Sequence, residues 1–190
     1  MSSPRHNRAP GGEAEAEGDG DIPVAAAARG GSVGGRGSAC SLPVIFDFAE
    51  SWKPHTIPKH DGGPAPFTYG SVSPVCEIDA KPAGHIGYLR VYTSDFKGEN
   101  PRKALENFVT ESSEKVKDAM YTEVRAGAFD AIEVAYVDES ELLGQDVRNR
   151  ALAFAIPQGV LVLELGGLDS EEHNAMRPAF ELAKETLKAN

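Results

Sequence analysis

The stretch from Arg150 to Gly167, RALAFAIPQGVLVLELGG, constrains the fold most. Leu152, Phe154 and Ile156 alternate with Ala151, Ala153 and Ala155. That period of two sends successive side chains to opposite faces of a strand. Val160 to Leu165 is apolar on both faces apart from Glu164, as in a strand covered on two sides. Pro157-Gln158-Gly159 between them suits a three-residue hairpin turn with Gly159 left-handed. The two limbs therefore form a central antiparallel hairpin. Its bulky face demands one covering layer, and its alanine face lets a helix backbone approach closely on the other side.

The rest of the chain arranges itself around this hairpin. Val44 to Phe48 reads as a short strand leading to Trp52, and Lys53 to Pro66 as a loop rich in proline and glycine. Phe67 to Asp79 is a strand containing Pro74, which lacks a ladder donor and so marks an edge or broken strand. Gly87 to Thr93 places Tyr88, Arg90 and Tyr92 on one face. Asn100 and Pro101 supply an N-cap and a first helical residue, followed by Leu105, Phe108, Val109 and Val116 at helical spacing. Tyr121 to Arg125 and Ala131 to Val137 are strands around a turn at Gly127, and Asp138 to Asn149 reads as a polar, acidic connection. Asp169 to Glu172 caps a last helix with a stripe at Met176, Ala179, Phe180, Ala183 and Leu187. Pro178 either kinks that helix or begins its main part. The order βββ-α-ββββ-α describes an α+β domain: a mostly antiparallel sheet of six to seven strands with a helix packed on each face.

Of the 190 residues, the first 39 contain no aromatic side chain. Their glycine, alanine, serine and acid content cannot offset the entropy of ordering. Residues 1–39 are expected to be a disordered tether and residues 40–190 a single domain. GGSVGGRGS lacks the Lys-Ser/Thr ending of a phosphate loop. The net charge of −10 lies almost wholly in the domain, because the tail's five acids nearly match its four arginines. Such a domain repels phosphate backbones, so no nucleic-acid partner is expected. No run of 18 apolar residues spans a membrane.

The chain has two cysteines. A Cys40–Cys76 disulfide would close a long loop, worth roughly 3–4 kcal/mol on the chain-entropy model, and would mark an oxidising compartment. His55, His60 and the adjacent Asp61 lie in a surface loop without metal-ligand spacing, and no cofactor loop or nucleophile motif stands out. Gly70-Ser71-Val72-Ser73 lacks the second glycine of a nucleophile elbow. No catalytic residue, metal ligand or cofactor is assigned. A hydrolase reading would need His55, His60 or His85 joined to carboxylates in one cleft. Two groups remain as candidate ligand contacts. The aromatic residues Trp52, Tyr69 and Tyr92 could form a contact surface or the core beneath the edge strands. Asp138, Glu139, Glu141 and Asp146 could attract a cation or basic peptide, or simply be solvated.

Val44 to Phe48 with Trp52, the glycine turn before Ala131 to Val134, the Pro157-Gln158-Gly159 hairpin and a last helix with an early proline carry a resemblance. Over residues 41–190 the chain resembles the PsbP-like fold of small actinobacterial lipoproteins of the LpqN type. The resemblance implies an exported, non-catalytic, monomeric protein, fixed to the outer face of the cytoplasmic membrane through a lipid anchor. Ser2-Ser3-Pro4 looks like the sequence that follows a lipidated cysteine. Similar lipoproteins include immunity proteins of lantibiotic clusters, so a peptide antibiotic or another envelope ligand is the expected partner.

Overall fold

The computed structural model describes residues 22–59, 61–62 and 66–190. Its elements are β1 (Arg29–Val33), β2 (Val44–Ala49), β3 (Lys53–Thr56), β4 (Ser73–Asp79), β5 (Gly87–Thr93), α1 (Pro101–Ser112), β6 (Val116–Ala126), β7 (Phe129–Ser140), β8 (Gln145–Ile156), β9 (Gly159–Gly167), α2 (Ser170–Thr186) and β10 (Lys188–Ala189). A seven-stranded sheet runs β3-β4-β5-β9-β8-β7-β6, and a small sheet runs β1-β2-β10. Neighbouring strands in both sheets pair antiparallel.

The expected hairpin is the middle of the large sheet. β8 and β9 pair from Arg150↔Leu165 to Ile156↔Gly159. The turn is shorter than expected: Pro157 and Gln158 alone connect the strands, and Gly159 already belongs to the ladder. Gly159 is there for space, since a Cβ would lie 2.5 Å from Ser94 Oγ. Alternate residues divide between two cores. Leu152, Phe154, Leu161, Leu163 and Leu165 pack with Met176, Phe180 and Ala183 of α2. Ala151, Ala153, Val160 and Val162 pack with Leu105, Phe108 and Val109 of α1. This alternation is the period of two expected of successive strand residues.

The caps read from sequence are present. Asn100 Oδ1 accepts from Lys103 N at 3.1 Å, and Asp169 Oδ1 from Glu172 N at 2.8 Å. Pro178 lies within α2, and its carbonyl accepts from Ala27 N at 2.9 Å. The Cys40–Cys76 disulfide is formed, with Cα atoms 6.0 Å apart.

Several boundaries differ from expectation. Among the described residues five strands, not three, precede α1, and β10 follows α2. Residues 22–39, assigned to the tether, belong to the fold: β1 pairs with β2 from Arg29↔Ala49 to Val33↔Phe46. Its glycines permit a close approach, because a Cβ on Gly30 would sit 2.6 Å from Ala49 O. Residues 1–21 lie outside the described residues. β3 forms inside the expected loop, because backbone pairing with β4 needs no apolar side chains. Pro74 lies in an interior strand that is broken there, the second of the two expected alternatives. β3 covers only Cys76 to Asp79 of β4, so Pro74 falls past its end, beside a register shift. Asp138 to Asn149 is no connection either: β7 and β8 stay paired out to Ser140↔Gln145, with β6 alongside β7 as far as Asp138 and Ser170 of α2 bonded to Arg148 N.

Candidate functional site

The aromatic candidates are mostly core. Trp52 is 6% exposed within the α2-side core, and Tyr92 is 0% exposed. Neither offers a ring to a surface ligand. Tyr69 is half-buried; its ring lies 6.2 Å from Tyr92 and 5.6 Å from Phe108. Tyr92 also donates its hydroxyl to Glu164 Oε2 at 2.7 Å. Burial raises the Glu164 carboxyl above its ordinary range, against the Tyr92 hydrogen bond and Arg90, which lower it. Arg90 lies 3.9 Å over the Tyr88 ring and bonds Glu77 Oε2 through Nε at 2.8 Å. This buried polar group is satisfied internally and holds the aromatic layer in place.

The histidine candidates lie apart. His55 Nε2 is 3.6 Å from Glu77, and His85 Nδ1 is 3.2 Å from Glu172. His60 lies outside the described residues, Asp61 is exposed, and both cysteines are consumed by the disulfide. Among the described residues, no cluster of three or more His, Cys, Asp or Glu side chains could hold a metal ion. No helix among them is long and apolar enough to cross a membrane.

The acidic candidates come together at the β7–β8 tip. Glu139 pairs with Lys115 at 2.5 Å and with Lys117 at 3.1 Å, and Lys117 pairs with Asp146 at 2.7 Å. Hydrogen bonds from Lys115 and Lys117 lower the Glu139 pKa, and those to Asp146 and Glu139 raise Lys117 to about 12. Asp138 Oδ1 accepts from Lys115 N, and Glu114 Oε2 accepts from Glu141 N at 2.9 Å. The acids are thus partly neutralised. The sequence reading missed the pair in the turn between Glu141 and Asp146: Leu142, 87% exposed, and Leu143, 43% exposed. The dipeptide inside an acidic run was the available signal.

A second concave region was also missed. A cleft of about 260 Å³ opens where α2 passes over β6, β7 and β8, lined by Met120, Tyr136, Arg148, Arg150, His173 and Arg177 among others. Arg148 and Arg150 share a strand face, and His173 and Arg177 stand one turn apart on α2. Arg150 donates to Glu133, which also accepts from Lys184 Nζ at 2.9 Å. Arg177 Nη2 donates to Ile22 O at 2.9 Å. Burial, then Arg150, Arg177 and Arg148, push the His173 pKa down to about 3, so the ring is neutral at pH 7.

The fold is similar to that of cyanobacterial PsbP (CyanoP) from Synechocystis sp. PCC 6803, at TM-score 0.50 and 11% identity, covering 84% of this chain and 98% of that one. A weaker similarity, at TM-score 0.40 and 18% identity, is to LpqN, involved in cell envelope biogenesis of Mycobacterium tuberculosis; it covers 80% of this chain and 86% of that one. No curated protein sequence matches the chain. The family model for an uncharacterised lipoprotein matches residues 10–187, nearly the whole length, and the chain belongs to that lipoprotein family.

Proposed function

We propose that this is a non-catalytic binding lipoprotein, held at the outer face of the cytoplasmic membrane, that captures a cationic amphipathic peptide of the lantibiotic kind and so gives the producing cell self-resistance. The observation that carries this reading is the β7–β8 tip. Leu142 and Leu143 project into solvent in the turn between Glu139 and Asp146, whose carboxylates pair with Lys115 and Lys117, and Glu114 accepts from Glu141 N beside them in the chain. An apolar pair flanked in the chain by acids complements a basic peptide carrying apolar rings. The leucines supply affinity by burial, while the acids speed encounter and select charge, an effect that salt screens. The test is amide-shift titration of the protein with a cationic lantibiotic, beside expression of the anchored protein in a sensitive host. Shifts centred on residues 139–146 and raised tolerance, both lost in Leu142→Ser/Leu143→Ser, are expected. No shift at millimolar peptide and no tolerance would leave an envelope scaffold as the better description.

A further inference from the structure

The two ends of the large sheet differ. β3 has four residues and contains Pro54, and a short edge interrupted by proline resists further pairing. β6 has eleven residues and no proline, and the strand order ends on it, with β7 on its one paired side. A bulge disturbs only its first part: Lys117 pairs with Val137 and Met120 with Ala135, so Asp118 and Ala119 stand against a single partner residue. From Met120↔Ala135 to Ala126↔Phe129 the register is regular.

Only Gly127 and Ala128 separate Ala126 from its partner Phe129. In a turn of that length the first residue's carbonyl accepts from the fourth residue's N–H, so Ala126 and Phe129 are a hydrogen-bonded pair. Bonded and non-bonded pairs alternate along antiparallel strands. Met120, Thr122, Val124 and Ala126 therefore direct their backbone groups to β7, while Tyr121, Glu123 and Arg125 direct theirs to the open edge. Among the described residues no backbone hydrogen bond from a turn or loop reaches those three. Such an edge is a template for one more strand.

Its side chains select the partner. Met120, 55% exposed, shares one face with Thr122 and Val124, and Tyr121, Glu123 and Arg125 share the other. Arg125 pairs with Asp130 at 2.7 Å. Glu123 is exposed and has no side-chain partner among the described residues. The one unmatched charge in the regular run is thus an acid. In a chain of net charge −10, a second copy of this edge is repelled and a basic strand is attracted. The edge also adjoins the β7–β8 tip, since Lys117 near its start pairs with Glu139 and Asp146.

We propose that the open edge of β6 receives an extended segment of the captured peptide as an eighth strand of the large sheet. A basic side chain lies opposite Glu123, and apolar side chains lie along Met120, Thr122 and Val124. The choice of the captured peptide as occupant rests on the capture reading, whereas the open edge stands without it. Main-chain hydrogen bonds supply affinity in such an addition, and alternate side chains supply specificity. The partner is therefore a run that alternates basic with apolar residues.

Amide hydrogen exchange of the full chain is followed with a linear, end-capped peptide of about eight residues alternating Val with Lys, long enough for one strand. At about ten times its Kd, the Tyr121 and Glu123 amides should exchange about tenfold more slowly, while the Thr122 and Val124 amides are protected with or without peptide. N-methylation of one alternate set of peptide residues should abolish the effect and of the other set should spare it, which leaves the protein itself untouched. Glu123→Lys should weaken the peptide about fivefold, the scale of a cross-strand charge pair. A peptide with Glu in place of Lys should bind that variant better than the native protein. Protection of the edge amides by the linear peptide, with neither shifts nor tolerance from the lantibiotic, upholds the edge and overturns the capture reading. Lantibiotic shifts at residues 139–146 with unchanged exchange at Tyr121 and Glu123 overturn the edge and leave the capture reading standing. No protection by roughly 5 mM linear peptide, past ordinary weak binding, also overturns the edge.

Discussion

The two halves of β8 share one backbone ladder and little else. From Ala151 to Ile156 every residue but Ala155 is buried, in a core shared with α2 or in one shared with α1. From Gln145 to Asn149 only Val147 is buried, and the strand carries Asp146 and Arg148. The interstrand hydrogen bonds run through both halves without a break in register. Backbone pairing is therefore indifferent to side chains, while stability comes from what covers them. The buried half holds the sheet together; the more exposed half carries charge, borders a cleft and leads to an exposed leucine pair.

The largest effect belongs to the covered half. Phe154 is fully buried and stacks on Phe129 with centroids 4.4 Å apart. Phe154→Ala should cost about 3–5 kcal/mol through lost burial and the cavity left behind. Denaturant unfolding checks this, and a change below about 1 kcal/mol would deny the hairpin its central place. Removal of the disulfide comes next. Cys40→Ala/Cys76→Ala should cost roughly 3–4 kcal/mol on the chain-entropy account. Non-reducing thiol titration of the denatured wild-type protein should find no free thiol.

A smaller effect lies where the halves meet, and it depends on pH. His173 keeps a folded pKa of about 3 against an ordinary 6.5. The unfolded chain binds the extra proton first. Stability is therefore full above pH 6.5 and falls as pH drops toward 3, by about 2 kcal/mol between pH 6.5 and 5. Glu164 works in the other direction. Its carboxyl is raised by burial, so its contribution is present below the ordinary 4.5 and lost as pH rises through the raised value. Urea midpoints against pH should lose the first slope in His173→Leu and the second in Glu164→Gln. An unchanged acid slope in His173→Leu would place the proton uptake elsewhere.

The same contrast explains what the sequence revealed. The alternation of Leu152, Phe154 and Ile156 records two-sided burial, and Asn100 and Asp169 record helix starts through their own side-chain chemistry. β1 and β3 left no such trace. Arg29 to Val33 is glycine-rich because its backbone crowds Ala49, and that composition reads as a tail. Asp138 to Asn149 reads as a connection because Val147 alone among these residues is buried. The aromatic candidates failed for a related reason. Trp52 and Tyr92 are large apolar residues, and pattern alone does not separate a core from a contact surface. The arginine cleft joins a strand pair, Arg148 and Arg150, to a helix pair, His173 and Arg177. Each pair is visible as a local spacing, but only the tertiary fold places them together.

The smallest effect on stability is expected at the tip, and it sharpens the comparison most. Leu142 and Leu143 lie beyond the last backbone pair, Ser140↔Gln145. Gly144, with φ of 65°, and the hydrogen bond from Leu143 N to Ser140 Oγ at 3.2 Å close the turn without help from either leucine side chain. Leu142→Ser/Leu143→Ser should thus change unfolding free energy by no more than about 0.5 kcal/mol, the range of surface substitutions away from structural features. The exposed leucines at the tip would then owe nothing to folding. A loss of more than about 1 kcal/mol would instead make the pair a local staple for the β7–β8 tip, and the peptide-capture reading would lose the observation that carries it. A near-neutral change in stability together with lost peptide shifts would separate binding from folding within one strand pair, which is the division that β8 already displays.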